Sequence, residues 1–240
     1  MKQAMGEAGR GEAGRGEAGR GEAGAVRAGA VPPGQGAERV AAFVDAVFAI
    51  AMTLLAVELP RPPAELIEGD QTRPVMAARL WDFLGDNWGT WLAFVIAFLI
   101  LWGVWREHHR TLDLVSRVTP RMMWWHVPLL LVVVLLPYAS ALIGETVANP
   151  LAVCLFAGAV AALLLTQAGL LRAVVRDGAL RPEADARELR VRAGTLAVVG
   201  AFWLLTAGLT WLVDGVTPLW LLTPVVGRAA ARVLGRTLPA

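Results

Sequence analysis

Two carboxylates in the first apolar segment of the chain are the residues whose chemistry most needs an explanation. Residues 39–60 read RVAAFVDAVFAIAMTLLAVELP, with Asp45 near the beginning and Glu58 near the far end. The segment is apolar enough to cross a bilayer, where an ionisable side chain nearly always faces protein or water instead of lipid. Asp45 therefore predicts that this helix is surrounded by protein, whereas Glu58 lies where the helix leaves the membrane.

Three histidines are the candidate partners of Asp45, because the nearest basic residue lies on another side of its helix. Arg39 is six residues away, which places it about 240° around the helix axis. The histidines are His108, His109 and His126. Since adjacent histidines point to different faces of a helix, we expect no metal site at residues 108–109.

The residue types that most enzymes and metal clusters need are scarce. Cys154 is the only cysteine and Lys2 the only lysine, which excludes a cysteine metal cluster and a phosphate-binding or Schiff-base lysine within the fold. The formal net charge of +2 gives no reason to expect nucleic acid as a partner. We therefore expect a protein that is not an enzyme and holds no cofactor.

The first apolar segment has two different faces when it is placed on a helix. With 100° per residue and Ile50 at zero, Leu54 falls at about +40° and Val57 at about −20°. Thr53 lies on the flank of this stripe, at about −60°. Asp45 lies about 140° away, on the opposite side. One helix therefore presents an aliphatic stripe on one face and carries its acid behind it.

The composition is that of a membrane protein. Hydrophobic residues make up 56% of the 240 residues, too many for an ordinary soluble domain. Runs long enough for a membrane-spanning helix of roughly 20 residues lie at about 39–59, 87–105, 122–144, 150–171, 191–213 and 216–234. The last run is the weakest, because Pro224, Arg228 and Arg232 interrupt it. The predicted fold class is an all-α membrane protein with six transmembrane helices joined by short polar connections.

A low-complexity tail precedes these runs. Residues 6–24 repeat the pattern GEAGR, which has glycine throughout and no apolar face, so it cannot offset the entropy lost on ordering. We predict a disordered N-terminal tail over residues 1–36 and one six-helix transmembrane domain over residues 37–236.

The basic residues predict the orientation in the membrane. Nineteen of the 22 Lys and Arg residues lie at the two ends of the chain or in the connections after the second and fourth runs. The other three are Arg61, Arg73 and Arg79. Because basic residues accumulate in cytoplasmic loops, we expect a multi-pass protein of the plasma membrane with both termini cytoplasmic.

Three short motifs occur in order along the first three runs. Arg39, Phe43 and Asp45 form the pattern R-x-x-x-F-x-D before an aliphatic stretch that contains T-L-L. W-R-E-H-H ends the second run, and L-P-Y-A-S lies in the third. Together they resemble the signatures of the transmembrane protein 175 family, the endolysosomal potassium channels and their bacterial relatives. A serine stands in that family at the position of Val44.

The resemblance implies a bacterial, single-repeat subunit that assembles as a homotetramer in the lipid bilayer, with its first helix lining a central pore. It implies that Ile50, Leu54 and Val57 form a hydrophobic constriction and that Thr53 adds a layer of hydroxyls. Four copies of Glu58 would form an acidic ring at the outer mouth, which concentrates cations. The permeant ion would be potassium.

The resemblance also implies a polar network behind the pore helix. Asp45 would bond to side chains of the second and third helices, and the matching positions are Trp105, His108 and His126. His126 stands where the family usually has asparagine. Such a network would hold the pore helix at a set angle.

Two other functional classes are weighed against a channel. A secondary transporter of a cation or small solute usually shows internal repeats and helices broken around a polar site, and the two halves of this chain are not similar. A membrane enzyme needs a nucleophile with a base, or a set of metal ligands, and no such set stands out. We therefore expect a potassium-selective or weakly selective cation channel, with a transporter as the alternative.

Overall fold

The computed structural model describes residues 35–67, 72–146 and 148–238, so the predicted tail lies outside them except for its last two residues. The described residues form helices joined by short connections. The helices are α1 (Gln35–Val57), α2 (Ala64–Ile67), α3 (Arg73–Asp86), α4 (Trp88–Asp113), α5 (Pro120–Glu145), α6 (Pro150–Arg176), α7 (Ala186–Leu209) and α8 (Thr223–Thr237), with a 3₁₀ helix (Thr217–Leu222) before α8.

Within these ranges, five helices are long and apolar enough to cross a membrane, namely α1, α4, α5, α6 and α7. They coincide with the first five predicted runs, which confirms the expectation of an all-α membrane protein. Helices α4 and α6 continue past the predicted runs into their arginine-containing ends, since helical hydrogen bonding does not stop where the apolar residues stop.

The sixth predicted run, 216–234, does not form one long helix. It is divided between the 3₁₀ helix and α8, and Pro224 lies in the first turn of α8, where its missing N–H costs no helical hydrogen bond. Arg228 and Arg232 are one turn apart and exposed. Because this segment is not among the five long apolar helices of the described chain, a sixth span stays a prediction.

The first connection contains two helices where the sequence predicts only a short polar link. Helix α3 is 14 residues long, begins with Pro74 in its first turn and has no buried residue. Met76, Leu80 and Phe83 recur every three to four residues, which is the spacing of an amphipathic helix. This spacing is the sequence signal for α3.

Helix α6 lies inside the bundle and α1 at its edge. Helix α6 packs extensively against α5 and α7, whereas α1 packs mainly against α4 and α5. Helix α8 returns along α7, with Gly194 so close to Leu234 that an added Cβ atom would come within 2.7 Å of that side chain.

The connections after α4 and α6 meet at one end of the bundle. The backbone N–H of Ser116 donates to the carbonyl of Ala179 at 2.8 Å, and that of Arg181 donates to the carbonyl of Leu114 at 2.9 Å. Both connections belong to the arginine-rich side that the sequence predicts. The fold therefore gathers these arginines at the same end.

Candidate ion pathway and its supporting network

The aliphatic stripe of α1 points away from the rest of the subunit. Ile50 is 59% exposed, Leu54 38% and Val57 56%. Thr53 is exposed beside them. The residues almost completely buried on the opposite side of the helix are Val44, Phe48, Ala51 and Leu55. The stripe is therefore not part of the interior of its own subunit.

The hydroxyl of Thr53 is oriented by its own helix. Its Oγ1 donates to the carbonyl of Ile50 at 2.8 Å. Because the hydroxyl hydrogen is used in that bond, lone pairs of Oγ1 stay available on the exposed side. This arrangement suits contact with a cation that faces the stripe.

Asp45 is held from behind by α4. Its Oδ1 accepts a hydrogen bond from Nε1 of Trp105 at 2.8 Å, and its Oδ2 lies 3.6 Å from Nδ1 of His109. The rings of Trp105 and His109 stack with their centroids 5.5 Å apart. The two groups that contact the carboxylate therefore also support each other.

The histidine beside Asp45 is His109, which corrects the expectation that His108 or His126 lies there. Trp105 and His109 are four residues apart and share one face of α4. His108 is turned about 100° from His109 and is completely buried. Of the two adjacent histidines, only His109 lies beside Asp45, and the sequence does not reveal which of them takes this position.

His108 and His126 instead form a second polar layer inside the bundle. Nδ1 of His108 lies 3.4 Å from Oε1 of Gln167 on α6, and Nδ1 of His126 lies 2.7 Å from the carbonyl of Met122. The two imidazoles meet edge to face, with centroids 5.1 Å apart. Phe48 of α1 stacks on His108, so this layer also contacts the buried side of α1.

Two polar contacts between helices do not follow from the sequence reasoning. Gln167 is completely buried, and the signal was a polar residue inside an apolar run, which has to face protein. Glu107 accepts from Nε of Arg192 at 2.7 Å and lies 2.6 Å from its Nη2. This pair links α4 to α7, two helices that are distant in sequence.

The remaining predicted residues lie at the two ends of α1. Arg39 and Phe43 line a cleft of about 360 Å³ between α1 and α5, which His126 also lines. Among the described residues, the side chains that contact the Asp45 carboxylate are Trp105 and His109, not Arg39 or Phe43. Glu58 follows α1 directly and is exposed. No group of three or more metal-binding side chains comes together in the described ranges.

Known proteins resemble this chain over the region that contains most of α1, all of α4 and most of α5. The family model of the endosomal/lysosomal potassium channel TMEM175 matches residues 39–137. A potassium channel of Streptomyces collinus is 31% identical over 179 residues, which cover 72% of this chain and 82% of that protein. A potassium channel of Chamaesiphon minutus is 32% identical over 155 residues, which cover 63% of this chain and 72% of that protein.

A solved structure shows the same fold. It is the crystal structure of a lysosomal potassium-selective channel TMEM175 homolog from Chamaesiphon minutus, with a TM-score of 0.62 and 25% identity. The match covers 83% of this chain and 96% of that chain. The residues matched by the family model include the α1 stripe, Asp45 and Trp105. The predicted membership is confirmed, and the chain belongs to the family of the endosomal/lysosomal potassium channel TMEM175.

Proposed function

We propose that the protein is a potassium-selective channel of the cell membrane in which α1 of four identical subunits lines a shared pore. The observation that carries this proposal is the exposed stripe of Ile50, Leu54 and Val57 on a helix whose other side is packed. The hydrogen bond between Asp45 and Trp105 supports a fixed orientation of that helix. The relatives named as potassium channels supply the permeant ion.

The stripe is suited to close a pore without a plug. Four copies of Ile50, Leu54 and Val57 around one axis would form a narrow aliphatic constriction. Water leaves such a constriction readily, and an ion cannot pass where it would lose its hydration without replacement. Small rotations of α1 that widen the constriction or admit water would open it.

Two polar residues complete the ion pathway. Four copies of Thr53 would place hydroxyl oxygens beside the constriction, where they replace part of the hydration shell of a cation. Four copies of Glu58 would form an acidic ring at the outer mouth. A ring of one sign of charge raises the local concentration of cations before they enter.

The packing of the C-terminal segment supports six spans in each subunit. Nε1 of Trp220 in the 3₁₀ helix donates to Oγ1 of Thr206 at 3.2 Å, and Arg187 at the other end of α7 donates to the carbonyl of Leu238. Six residues of 3₁₀ helix and fifteen of α-helix extend about 35 Å. This length matches a hydrocarbon core of about 30 Å.

The arginine-rich end of the bundle is proposed to face the cytoplasm. The connections after α4 and α6 join there, and the last turn of α8 ends near the start of α7. Basic residues are retained on the cytoplasmic side of membrane proteins. Both termini would then be cytoplasmic and Glu58 would lie outside.

Several subunits are needed to enclose a pore, and we propose four, the number that the family resemblance implies. One subunit contributes a single α1, which cannot enclose a pore. The mass of the purified full chain in detergent, measured by light scattering, tests this requirement. Four copies are expected, whereas a monomer would contradict a shared pore.

Recording from the purified protein in planar bilayers tests conduction. We expect currents that reverse near the potassium equilibrium potential when potassium faces sodium. Leu54→Ala should raise the resting conductance, because it removes apolar volume from the constriction. Leu131→Ala is the control, since Leu131 is an exposed leucine on α5. A flux that is slow and coupled to a second ion would favour a secondary transporter instead.

A further inference from the structure

A hollow lies along the first turns of α5, at the arginine-rich end of the bundle. It has a volume of about 480 Å³ and is lined by Arg121, Trp124, Trp125 and Pro128. The ring of Trp125 lies against Gly169 of α6, where an added Cβ atom would come within 2.6 Å of it. Trp124 is 75% exposed. The hollow therefore has aromatic and aliphatic walls and one guanidinium at its end.

Two further arginines follow the same face of α6. Arg172 and Arg176 are three and seven residues beyond Gly169, so they share the side of the helix that meets Trp125. Both are exposed. They lie one and two turns from Gly169 toward the end of α6, where Asp177 pairs with Arg121.

Asp177 is the acid that contacts the arginines around the hollow in the described part of the chain. Asp177 pairs with Arg121, and its backbone carbonyl accepts from Nη2 of Arg117 at 2.9 Å. The side chain of Arg121 still remains 51% exposed. Together, the guanidiniums of Arg117, Arg121, Arg172 and Arg176 and the carboxylate of Asp177 carry a net charge of about +3.

We propose that this hollow binds an anionic phospholipid, with its phosphate at Arg121, Arg172 and Arg176 and an acyl chain beside Trp124 and Pro128. Basic pockets between transmembrane helices bind anionic headgroups, and indoles prefer the level of the headgroups. Free phosphate would contact only the arginines and would leave the apolar walls uncovered. The site is separate from ion conduction and does not depend on it.

Native mass spectrometry of the purified full chain, titrated with phosphatidylglycerol or phosphatidylcholine, tests the site. Phosphatidylglycerol should be retained preferentially. The double variant Arg172→Gln/Arg176→Gln should weaken its binding about 30-fold, which corresponds to about 2 kcal/mol for two arginine contacts. This variant leaves the Arg121–Asp177 pair in place and changes only exposed positions, so we expect it to fold.

The control removes the same charge elsewhere. Arg228→Gln/Arg232→Gln changes two exposed arginines with the same spacing on α8, and it should leave phosphatidylglycerol binding unchanged. Equal losses in both double variants, or equal binding of the two lipids, would overturn the proposal. Excess inorganic phosphate should not displace the lipid, and displacement would indicate a simple phosphate site instead.

A second copy of the chain is the competing occupant of the hollow. A cross-linking experiment distinguishes a bound lipid from a second copy of the chain. It uses Trp124→Cys in a Cys154→Ser background and a short bifunctional thiol reagent. Cross-linking between subunits at this position would overturn the lipid site. Chains that stay uncross-linked, together with preferential phosphatidylglycerol binding, support it.

Discussion

Helices α1 and α6 are both strongly apolar, yet they lie in opposite environments within the subunit. In the most apolar part of α1, 22% of the residues are buried, compared with 56% in the most apolar part of α6. Helix α6 is buried on several sides because α5 and α7 flank it. Helix α1 uses one side for its own subunit and leaves Ile50 and Val57 on the other. Apolar composition predicts that both helices span the membrane, but only the distribution of burial shows that α1 leaves one side uncovered by its own subunit.

The largest expected effect contrasts two phenylalanines on α1. Phe48 is completely buried and Phe43 is 62% exposed. Phe48→Ala should lower the free energy of unfolding by about 3–5 kcal/mol, because it leaves a cavity on the buried side of α1. Phe43→Ala should lower it by less than about 1 kcal/mol. Denaturant unfolding in detergent measures both, and equal losses would remove the distinction between the two faces.

A matched pair of leucines compares the two helices directly. Leu170 of α6 is completely buried, whereas Leu54 of α1 is partly exposed. Leu170→Ala should cost about 2–5 kcal/mol of stability through cavity formation, and Leu54→Ala less than about 1 kcal/mol. Leu54→Ala should instead change the conductance. A large loss of stability in Leu54→Ala would indicate that the stripe serves the fold.

The hydrogen bond between Asp45 of α1 and Trp105 of α4 is expected to have an intermediate effect. A double-mutant cycle with Asp45→Asn and Trp105→Phe should give a coupling energy of about 1–2 kcal/mol, as expected for a hydrogen bond to a carboxylate. Unfolding of the four proteins in detergent measures it. A coupling near zero would show that Asp45 does not hold α1 against α4.

The smallest expected effect concerns the histidine beside Asp45. His109→Ala should lower the free energy of unfolding by less than about 1 kcal/mol, because both partners are partly exposed and separated by 3.6 Å. The comparison is His108→Ala, which removes a completely buried ring and should cost more. If His109→Ala lowered the free energy of unfolding more than His108→Ala, the assignment of His109 as the histidine beside Asp45 would be contradicted.

Helical periodicity predicts the part of the site that lies on one helix. The stripe of Ile50, Leu54 and Val57 and the acid behind it follow from 100° per residue, and the structure exposes the stripe and turns Asp45 toward α4. The five described helices that could cross a membrane follow instead from the length of their apolar runs.

Contacts between helices cannot be predicted in this way. Whether His108 or His109 meets Asp45 depends on the rotation and axial position of α4 against α1, which the spacing within one helix does not fix. The pairing of Glu107 with Arg192 depends in the same way on the path of α7. Helix α3 was missed for a different reason, since its apolar residues are too few to resemble a membrane span.

Cysteine accessibility of two neighbouring leucines tests the central claim most directly. Leu54 is 38% exposed on the stripe and Leu55 is 2% exposed behind it. In a Cys154→Ser background, a positively charged methanethiosulfonate reagent should block potassium currents of Leu54→Cys and leave those of Leu55→Cys unchanged. A block of Leu55→Cys, or full modification of Leu54→Cys without any change in current, would contradict an ion pathway along this face of α1.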